Sequence, residues 1–356
     1  MVTMIMLTTW ALGAFVNIFA AIFLMWSIMY RIFDIVGYEK RTMRVGYLLS
    51  LIPFAGTCGM NFLPFHGGPL MNMNFVIQAI PDFKVSTLEY LLYMIVATVL
   101  IVVSVVIVGK FILRLDYSEM AKTENFTYLG GQKLCYEQKF GIFNLVLLIA
   151  ILVAPDILPK GSALHTFCTM LGVPGALALV ISLAAIFRGT DGKAMLNISE
   201  ATSKASWDII WLLVATMPVA SAMQNANCGI MSTLVGAITG LVGDMHWMMF
   251  TVVISIALGL ATQVSHNLIL ALIMFGPMTQ VCVNLGGNPY VFFMAMYWTN
   301  QIAFATPAAS ATAAIVHGNS EYISTGQAYF TGTLWMVMTF VCVVGLGLIY
   351  GPMIFS

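Results

Sequence analysis

Residues 17–29 read Asn-Ile-Phe-Ala-Ala-Ile-Phe-Leu-Met-Trp-Ser-Ile-Met, and residues 267–278 read Asn-Leu-Ile-Leu-Ala-Leu-Ile-Met-Phe-Gly-Pro-Met. Each stretch sets an asparagine before an apolar helix, with Ala21 and Ala271 four residues on. The correspondence continues downstream. Thr57, in Ala55-Gly56-Thr57, lies forty residues after Asn17, and Thr306, in Phe304-Ala305-Thr306-Pro307, lies thirty-nine after Asn267. Both threonines interrupt long apolar segments with small or helix-breaking residues: Gly56, Gly59, Pro64, Gly67, Gly68 and Pro69 around the first, Pro307 beside the second. A lone break of this kind is read as a kink. Two breaks at matching distances from two polar tips are read as an internal repeat, each half with a tip and a broken helix.

The surroundings of these tips are apolar. Of 356 residues, 60% are AVILMFWYC and 8% are Asp, Glu, Lys or Arg, and the mean hydropathy is +0.96. Ordinary soluble domains carry about 25% charged residues, so this surface cannot be a water-facing one. The composition predicts a polytopic all-helical membrane protein with the lipid bilayer as its main partner. Apolar runs long enough to cross a bilayer fall at about 4–30, 45–78, 88–115, 140–158, 162–188, 207–226, 246–285, 289–317 and 328–354.

Charge orders these runs. Arg31, Lys40, Arg41 and Arg44 form one basic cluster; Lys110, Arg114, Lys122, Lys133 and Lys139 form a second; Arg188, Lys193 and Lys204 form a third. Positive loops face the cytoplasm, so these three lie inside, and the loops carrying Lys84 and Lys160 lie outside. Beyond Lys204 there is no Lys or Arg, and orientation is inherited. The Asn-X-Ser/Thr matches at Asn125 and Asn197 fall in inside loops and are read as chance.

Several function classes drop out. Fourteen basic residues balance fourteen acidic ones, which excludes a basic nucleic-acid binder. The six cysteines lie far apart and form no zinc or redox pair. No Lys or Arg precedes Arg31, so the N-terminus lacks the charged start of a signal peptide. With no HExxH, no GxSxG and no paired intramembrane acids, an enzyme is not expected.

The breaks carry the chemistry. In hydrocarbon every backbone N–H and C=O must be satisfied, so unwound backbone survives only where it is buried or lines a wet cavity. There, freed carbonyls coordinate a cation and half-helix N-termini face an anion. Asparagine adds a carbonyl oxygen for a cation and an amide donor for a carboxylate.

At these residues the chain resembles the ion-transporter superfamily, and within it the divalent-anion:sodium symporter family. The resemblance rests on Val264-Ser265-His266-Asn267 at a tip, Ala305-Thr306-Pro307-Ala308, and Ala313-Ala314-Ile315-Val316-His317-Gly318 in the second half. Trp207-Asp208-Ile209-Ile210-Trp211 stands where that family has a Trp-led helix. The first half offers Phe15-Val16-Asn17-Ile18, Gly56-Thr57-Cys58-Gly59 and His66-Gly67-Gly68-Pro69. The resemblance implies an inverted-repeat transporter with two re-entrant hairpins (1–30 and 246–285) and two broken helices (45–78 and 289–317). It divides the chain into a first repeat at 1–115, a cytoplasmic linker at 116–139 and a second repeat at 140–356.

It also implies secondary active transport of a small anion, an organic di- or tricarboxylate or a related one, coupled to Na⁺ by alternating access. A homodimer in a bacterial cytoplasmic membrane would follow. Carried over residue by residue, substrate contacts fall on Asn17, Thr57, Gly59, Ser265, His266, Asn267, Thr306 and Pro307. Sodium contacts fall on Asn17, Gly56, Asn267 and Ala305, with no other cofactor. A cation/proton exchanger of the same superfamily, with His266 or His66 as proton carrier, is the competing expectation; a truncated, non-transporting membrane protein is another.

Two departures from that family are visible. Val16 and Ile18 stand where it has Ser and Thr, and the second tip reads Ser-His-Asn rather than Ser-Asn-Thr. A pocket with fewer hydroxyls suits a different or less polar anion than a C4-dicarboxylate. Further, sixteen residues precede Asn17, whereas 128 separate Lys139 from Asn267. Comparable halves therefore predict roughly a hundred further residues upstream, including the family's first helices and dimer contacts.

Other polar residues keep two readings. His266 and His66 either carry a proton or an anion or are neutral histidines bonded to backbone. Asp244 and His246 read as interfacial, and Gln224, Asn225 and Asn227 as a solvated loop. Asn300 and Gln301 either line the second break or bond to a neighbouring helix.

Overall fold

The computed structural model describes residues 2–121, 134–203, 226–243 and 245–355, with isolated positions between 207 and 222. Among the described residues the chain is helical, with one isolated bridge between Arg188 and Ala194. Six helices are long and apolar enough to cross a membrane: Ile18–Val36, Thr87–Ile112, Tyr136–Ile157, Ala163–Ile186, Asn267–Asn284 and Thr325–Gly345. This is a multi-pass helical membrane protein. Its contacts divide it into two compact units. One comprises Met1–Val85, Glu89–Thr123 and Met217–Ser356; the other comprises Ser86–Leu88 and Glu124–Thr216.

In the larger unit the apolar run at 4–30 is two helices, α1 (Val2–Phe15) and α2 (Ile18–Val36), turned at Val16 and Asn17. Asn17 makes the turn. Its side-chain oxygen accepts from the Phe19 and Ala20 N–H groups at 2.9 and 3.2 Å, two of the donors a helix start leaves unpaired. Gly37, at φ 74°, closes α2 in the left-handed conformation glycine favours.

Both arms lie on α3 (Met43–Met60), and glycines set the distance. A Cβ built on Gly13 would stand 2.4 Å from the Gly56 carbonyl oxygen, and one on Gly59 would stand 2.0 Å from that of Trp10. The backbones are thus in direct contact, as small residues permit between helices in lipid. Pro53 lies inside α3 and has no N–H, which frees the carbonyl four residues back. That carbonyl, of Leu49, accepts from Trp26 Nε1 of α2 at 2.9 Å. Trp26→Phe keeps the ring and strands the carbonyl; we expect it to lower unfolding free energy by about 1–2 kcal/mol, read from thermal unfolding in detergent.

After α3 the chain unwinds at 61–66 and resumes as α4 (Gly67–Ala79), which packs against a later helix, 267–284. Next comes α5 (Thr87–Ile107), which runs into a π turn at Val108–Ile112 and is followed by the short α6 (Ser118–Ala121). In the smaller unit, α7 (Tyr136–Ile157) and α8 (Ala163–Ile186) pack as a pair, joined by Asn144 Nδ2 donating to the Val180 carbonyl at 3.0 Å. Their outer surfaces are apolar and exposed, with Phe143, Val146, Phe167 and Met170 among them. α9 (Ile198–Ser203) follows in the same unit. Most of the run expected at 207–226 lies outside the described residues, as do Asp208–Ile210, Gln224, Asn225 and Asp244.

One helix was not anticipated. α10 (Ile230–Val242) is apolar but only 13 residues long, too short to register as a crossing. It precedes a second helix pair, α11 (Trp247–Ala261) and α12 (Asn267–Asn284), turned at 262–266. Then α13 (Pro289–Gln301) is followed by non-helical backbone at 302–310 and by α14 (Ala311–Gly318). α13 is buried on every side from Val291 to Asn300, as a helix apolar all round must be. Phe250 stacks on Phe292, and Phe293 on Tyr297, around it. α15 (Thr325–Thr339), a π turn at Phe340–Gly345 and α16 (Gly347–Ile354) complete the unit.

Two loops of this unit are strapped together. The Lys40 ammonium pairs with Glu321, which raises the lysine above its ordinary pKa. Arg41 Nε donates to the Ser320 carbonyl at 2.9 Å, and Gln327 Nε2 donates to the Arg41 carbonyl at 2.6 Å. Tyr30 stacks on Tyr322 at 4.1 Å and accepts from Asn319 Nδ2 at 2.9 Å. The loop after the first hairpin is thereby tied to the loop after the second broken helix.

Candidate binding site at the second break

The 262–266 turn and the 302–310 break are bonded to each other through Gln263. Its Oε1 accepts from the Ala305 N–H at 2.9 Å, and its Nε2 donates to the Gly259 carbonyl at 2.8 Å and to Thr262 Oγ1 at 3.1 Å. Thr306 Oγ1 donates back to the Gln263 carbonyl. Beside this clasp, Asn300 Nδ2 donates to the Asn267 carbonyl at 3.1 Å, joining the end of α13 to the start of α12.

Local sequence explains the shape of the break. Thr306 to Ala309 form a turn closed by the Ala309 N–H on the Thr306 carbonyl at 3.1 Å, with Pro307 second, where its fixed φ belongs. Ser310 then caps α14, accepting from the Ala313 N–H at 3.1 Å while donating to the Ala303 carbonyl at 2.7 Å. Room comes from Gly332 of α15, where a Cβ would stand 2.1 Å from the Phe304 carbonyl oxygen.

What remains unsatisfied defines the chemistry. Asn267 Oδ1 and Asn300 Oδ1 are both buried and have no hydrogen-bond partner. The bond from Asn300 Nδ2 to a carbonyl fixes which end of that amide is oxygen. A buried acceptor left unpaired costs about 1–3 kcal/mol, and two carbonyl-type oxygens near unwound backbone suit a hard cation. Among the described residues no group of three or more His, Cys, Asp or Glu could hold a metal. The two unpartnered side-chain oxygens here, those of Asn267 and Asn300, are neutral amides.

The expected residues divide. Ser265, His266, Asn267, Ala305, Thr306 and Pro307 come together at the tip and the break. His266 is the N-cap of α12, its Nδ1 accepting from the Leu268 N–H at 3.2 Å. His246 caps α11 in the same way through the Met248 N–H at 3.3 Å. In both caps the ring nitrogen that accepts is Nδ1.

The first half is arranged differently from expectation. Gly56, Thr57 and Gly59 were expected in unwound backbone, but they lie inside regular α3. The two glycines are there for contact with α1, and Thr57 Oγ1 donates to the Pro53 carbonyl at 3.0 Å within its own helix. The break falls later, at 61–66, where Pro64 interrupts the chain. Asn17 is exposed and caps its own helix. Its neighbour Ile18 touches Gly56, about 7 Å of helix before the break begins.

Polar groups of the first break come from His66 and from two residues the sequence reading passed over, Asn61 and Asn72. Asn61 Oδ1 accepts from Tyr297 Oη at 2.6 Å and its carbonyl from Tyr90 Oη at 2.8 Å; its Nδ2 has no partner. Asn72 Nδ2 donates to the Gly68 carbonyl at 2.7 Å, leaving Oδ1 unpartnered. His66 Nδ1 lies 2.7 Å from the Met60 carbonyl. Tyr297 and Asn300 are three apart on α13 and so share a face, which links both breaks through one buried helix.

Gln263→Leu is expected to strand the Ala305 N–H, lower stability by about 2 kcal/mol and speed hydrogen exchange at the Ala305 amide. Unchanged protection there would remove the clasp from the account.

No protein-family model matches the chain. It is 24% identical over 207 residues, 58% of its length, to a protein of Synechocystis sp. described as an uncharacterized transporter. The chain covers 30% of that relative's length.

Proposed function

We propose that this chain is a secondary active transporter that carries a small organic or related anion with Na⁺ by alternating access. The supporting observation is the pair of partnerless amide oxygens, Asn267 Oδ1 and Asn300 Oδ1, beside the unwound backbone at 302–310. In this reading Na⁺ is held by those oxygens and by carbonyls near Ala305. The anion meets the N-terminus of α12, with Ser265, Thr306 and the backbone around Pro307 nearby, where the helix dipole favours negative charge. The turns at Asn17 and Asn267 are re-entrant tips of two inverted halves, and the Synechocystis relative supports transport as the class.

The first half contributes through Asn61 and Asn72 at its own break, with Asn17, its oxygen engaged in capping, presenting its side-chain NH2 at an exposed tip. A site without carboxylates leaves the bound Na⁺ charge to be balanced by the anion itself, so ion and substrate bind in support of each other.

The test is uptake into proteoliposomes holding the purified chain, with radiolabelled dicarboxylates and tricarboxylates offered under a Na⁺ gradient and, separately, under a proton gradient. Saturable uptake driven by Na⁺ supports the reading. Uptake or exchange driven by protons alone, indifferent to Na⁺, replaces it with the exchanger.

A further inference from the structure

Behind the second break lies a cavity of about 240 Å³ between α11, α13, α15 and the Phe340–Gly345 π turn. It adjoins the candidate site: Ile302 of its wall opens the 302–310 break, and the Gly259 carbonyl accepts from Gln263. Its wall is apolar except for hydroxyls, and no charged residue lines it. Three of the lining residues, Ile256, Leu260 and Val337, are 45%, 59% and 50% exposed, so the cavity reaches the apolar outer surface of the bundle.

Two residues of the wall carry a buried hydroxyl with no partner. Ser255 and Thr339 are buried to 0% and 1% exposure, and neither Oγ nor Oγ1 makes a hydrogen bond, whereas Thr299 beside them is satisfied by the Ala295 carbonyl at 2.9 Å. Buried hydroxyls are rarely left so. Thr339 directly precedes a π turn, a distortion that recurs at functional sites. Gly259 faces open space, where a side chain would fill the cavity.

We infer that this cavity binds a neutral amphiphile drawn from the bilayer: an alkyl chain carrying one hydroxyl or carbonyl, the chain against the apolar wall and the polar group bonded to Ser255 and Thr339. A charged head group is excluded by the cost of burying it without a counter-charge. A bare hydrocarbon would leave both hydroxyls unpaired. The volume accepts a chain of about eight carbons, since 150 Å³ already holds a benzene ring.

The test uses the full chain in lipid nanodiscs and a diazirine-bearing octan-1-ol, with labelled peptides mapped by mass spectrometry. Saturable labelling on α11 and on 336–340 is expected, with octan-1-ol competing about fivefold better than octane, the worth of one net hydrogen bond. Ser255→Ala with Thr339→Val should erase that preference. Gly259→Leu should abolish saturable labelling; should that variant not fold, Val337→Trp closes the mouth from outside. Labelling that does not saturate, that survives both blocking variants, or for which octane competes as well as the alcohol, would overturn the assignment.

Discussion

Asn267→Ala is expected to abolish Na⁺-driven anion uptake while leaving the protein folded. The separation follows from which atoms of Asn267 are used. Its backbone carbonyl accepts from Asn300 Nδ2, a bond that alanine keeps. Its side-chain oxygen has no partner in the structure, so deleting it removes no internal contact and relieves a buried acceptor. Stability should therefore hold within about 1 kcal/mol or rise slightly. Loss of one ligand to a cation is worth about 1.5–3 kcal/mol, roughly a 10- to 150-fold weaker apparent Na⁺ affinity. The check is uptake against Na⁺ concentration beside a melting curve. Normal uptake by a folded variant would remove Asn267 from the site.

Gly59→Ala is expected to have the largest effect on folding. The added methyl would sit 2.0 Å from the Trp10 carbonyl oxygen and 3.0 Å from the Ala14 nitrogen, both backbone atoms that no rotamer change can move. α1 and α3 would have to separate along their whole contact, which costs about 1–3 kcal/mol or more for overpacking. Gly141→Ala is the control: it lies in α7 with nothing within 4 Å of the new carbon. There the helix preference for alanine should stabilise by up to about 1 kcal/mol. Equal melting temperatures for the two variants would mean that the hairpin is not held by this contact.

Part of the architecture was legible in the sequence, and for identifiable reasons. Apolar length marked the six helices long enough to cross, although the apolar runs at 45–78 and 289–317 supply none of them, and the asparagines at 17 and 267 fall at the turn before α2 and at the first residue of α12. Thr306-Pro307 marked the second break through its spacing from Asn267, which mirrors that of Thr57 from Asn17; proline alone marks none, since Pro53 and Pro277 lie inside helices. The first break was misplaced because glycine in such a helix has two uses, unwinding and close packing, and a single sequence does not separate them. Gly56 and Gly59 pack; Pro64 and the residues around it unwind.

Gln263 was passed over because it stands outside the repeated stretch, although it is a polar residue placed immediately before Val264-Ser265-His266-Asn267. Asn61 and Asn72 were hidden for another reason. Asn61 matters through Tyr90 and Tyr297, which reach it from helices further along the chain, and Asn72 through a bond to the Gly68 carbonyl that no sequence pattern announces. α10 was hidden by its length alone.

Transport would require the two broken helices to change their surroundings, and the Lys40–Glu321 and Arg41–Ser320 strap bears on that movement. It binds the first hairpin's exit loop to the loop that follows the second break, so the two elements move together or the strap opens.

The proposed Na⁺ site is made of neutral oxygens at the second break. The most direct test is calorimetric titration of NaCl into the purified full chain, with choline chloride as blank, for the unaltered protein and for Asn300→Leu. Saturable Na⁺ binding by the unaltered protein that is lost in a folded Asn300→Leu is the predicted result. No binding by either, or equal binding by both, would contradict it.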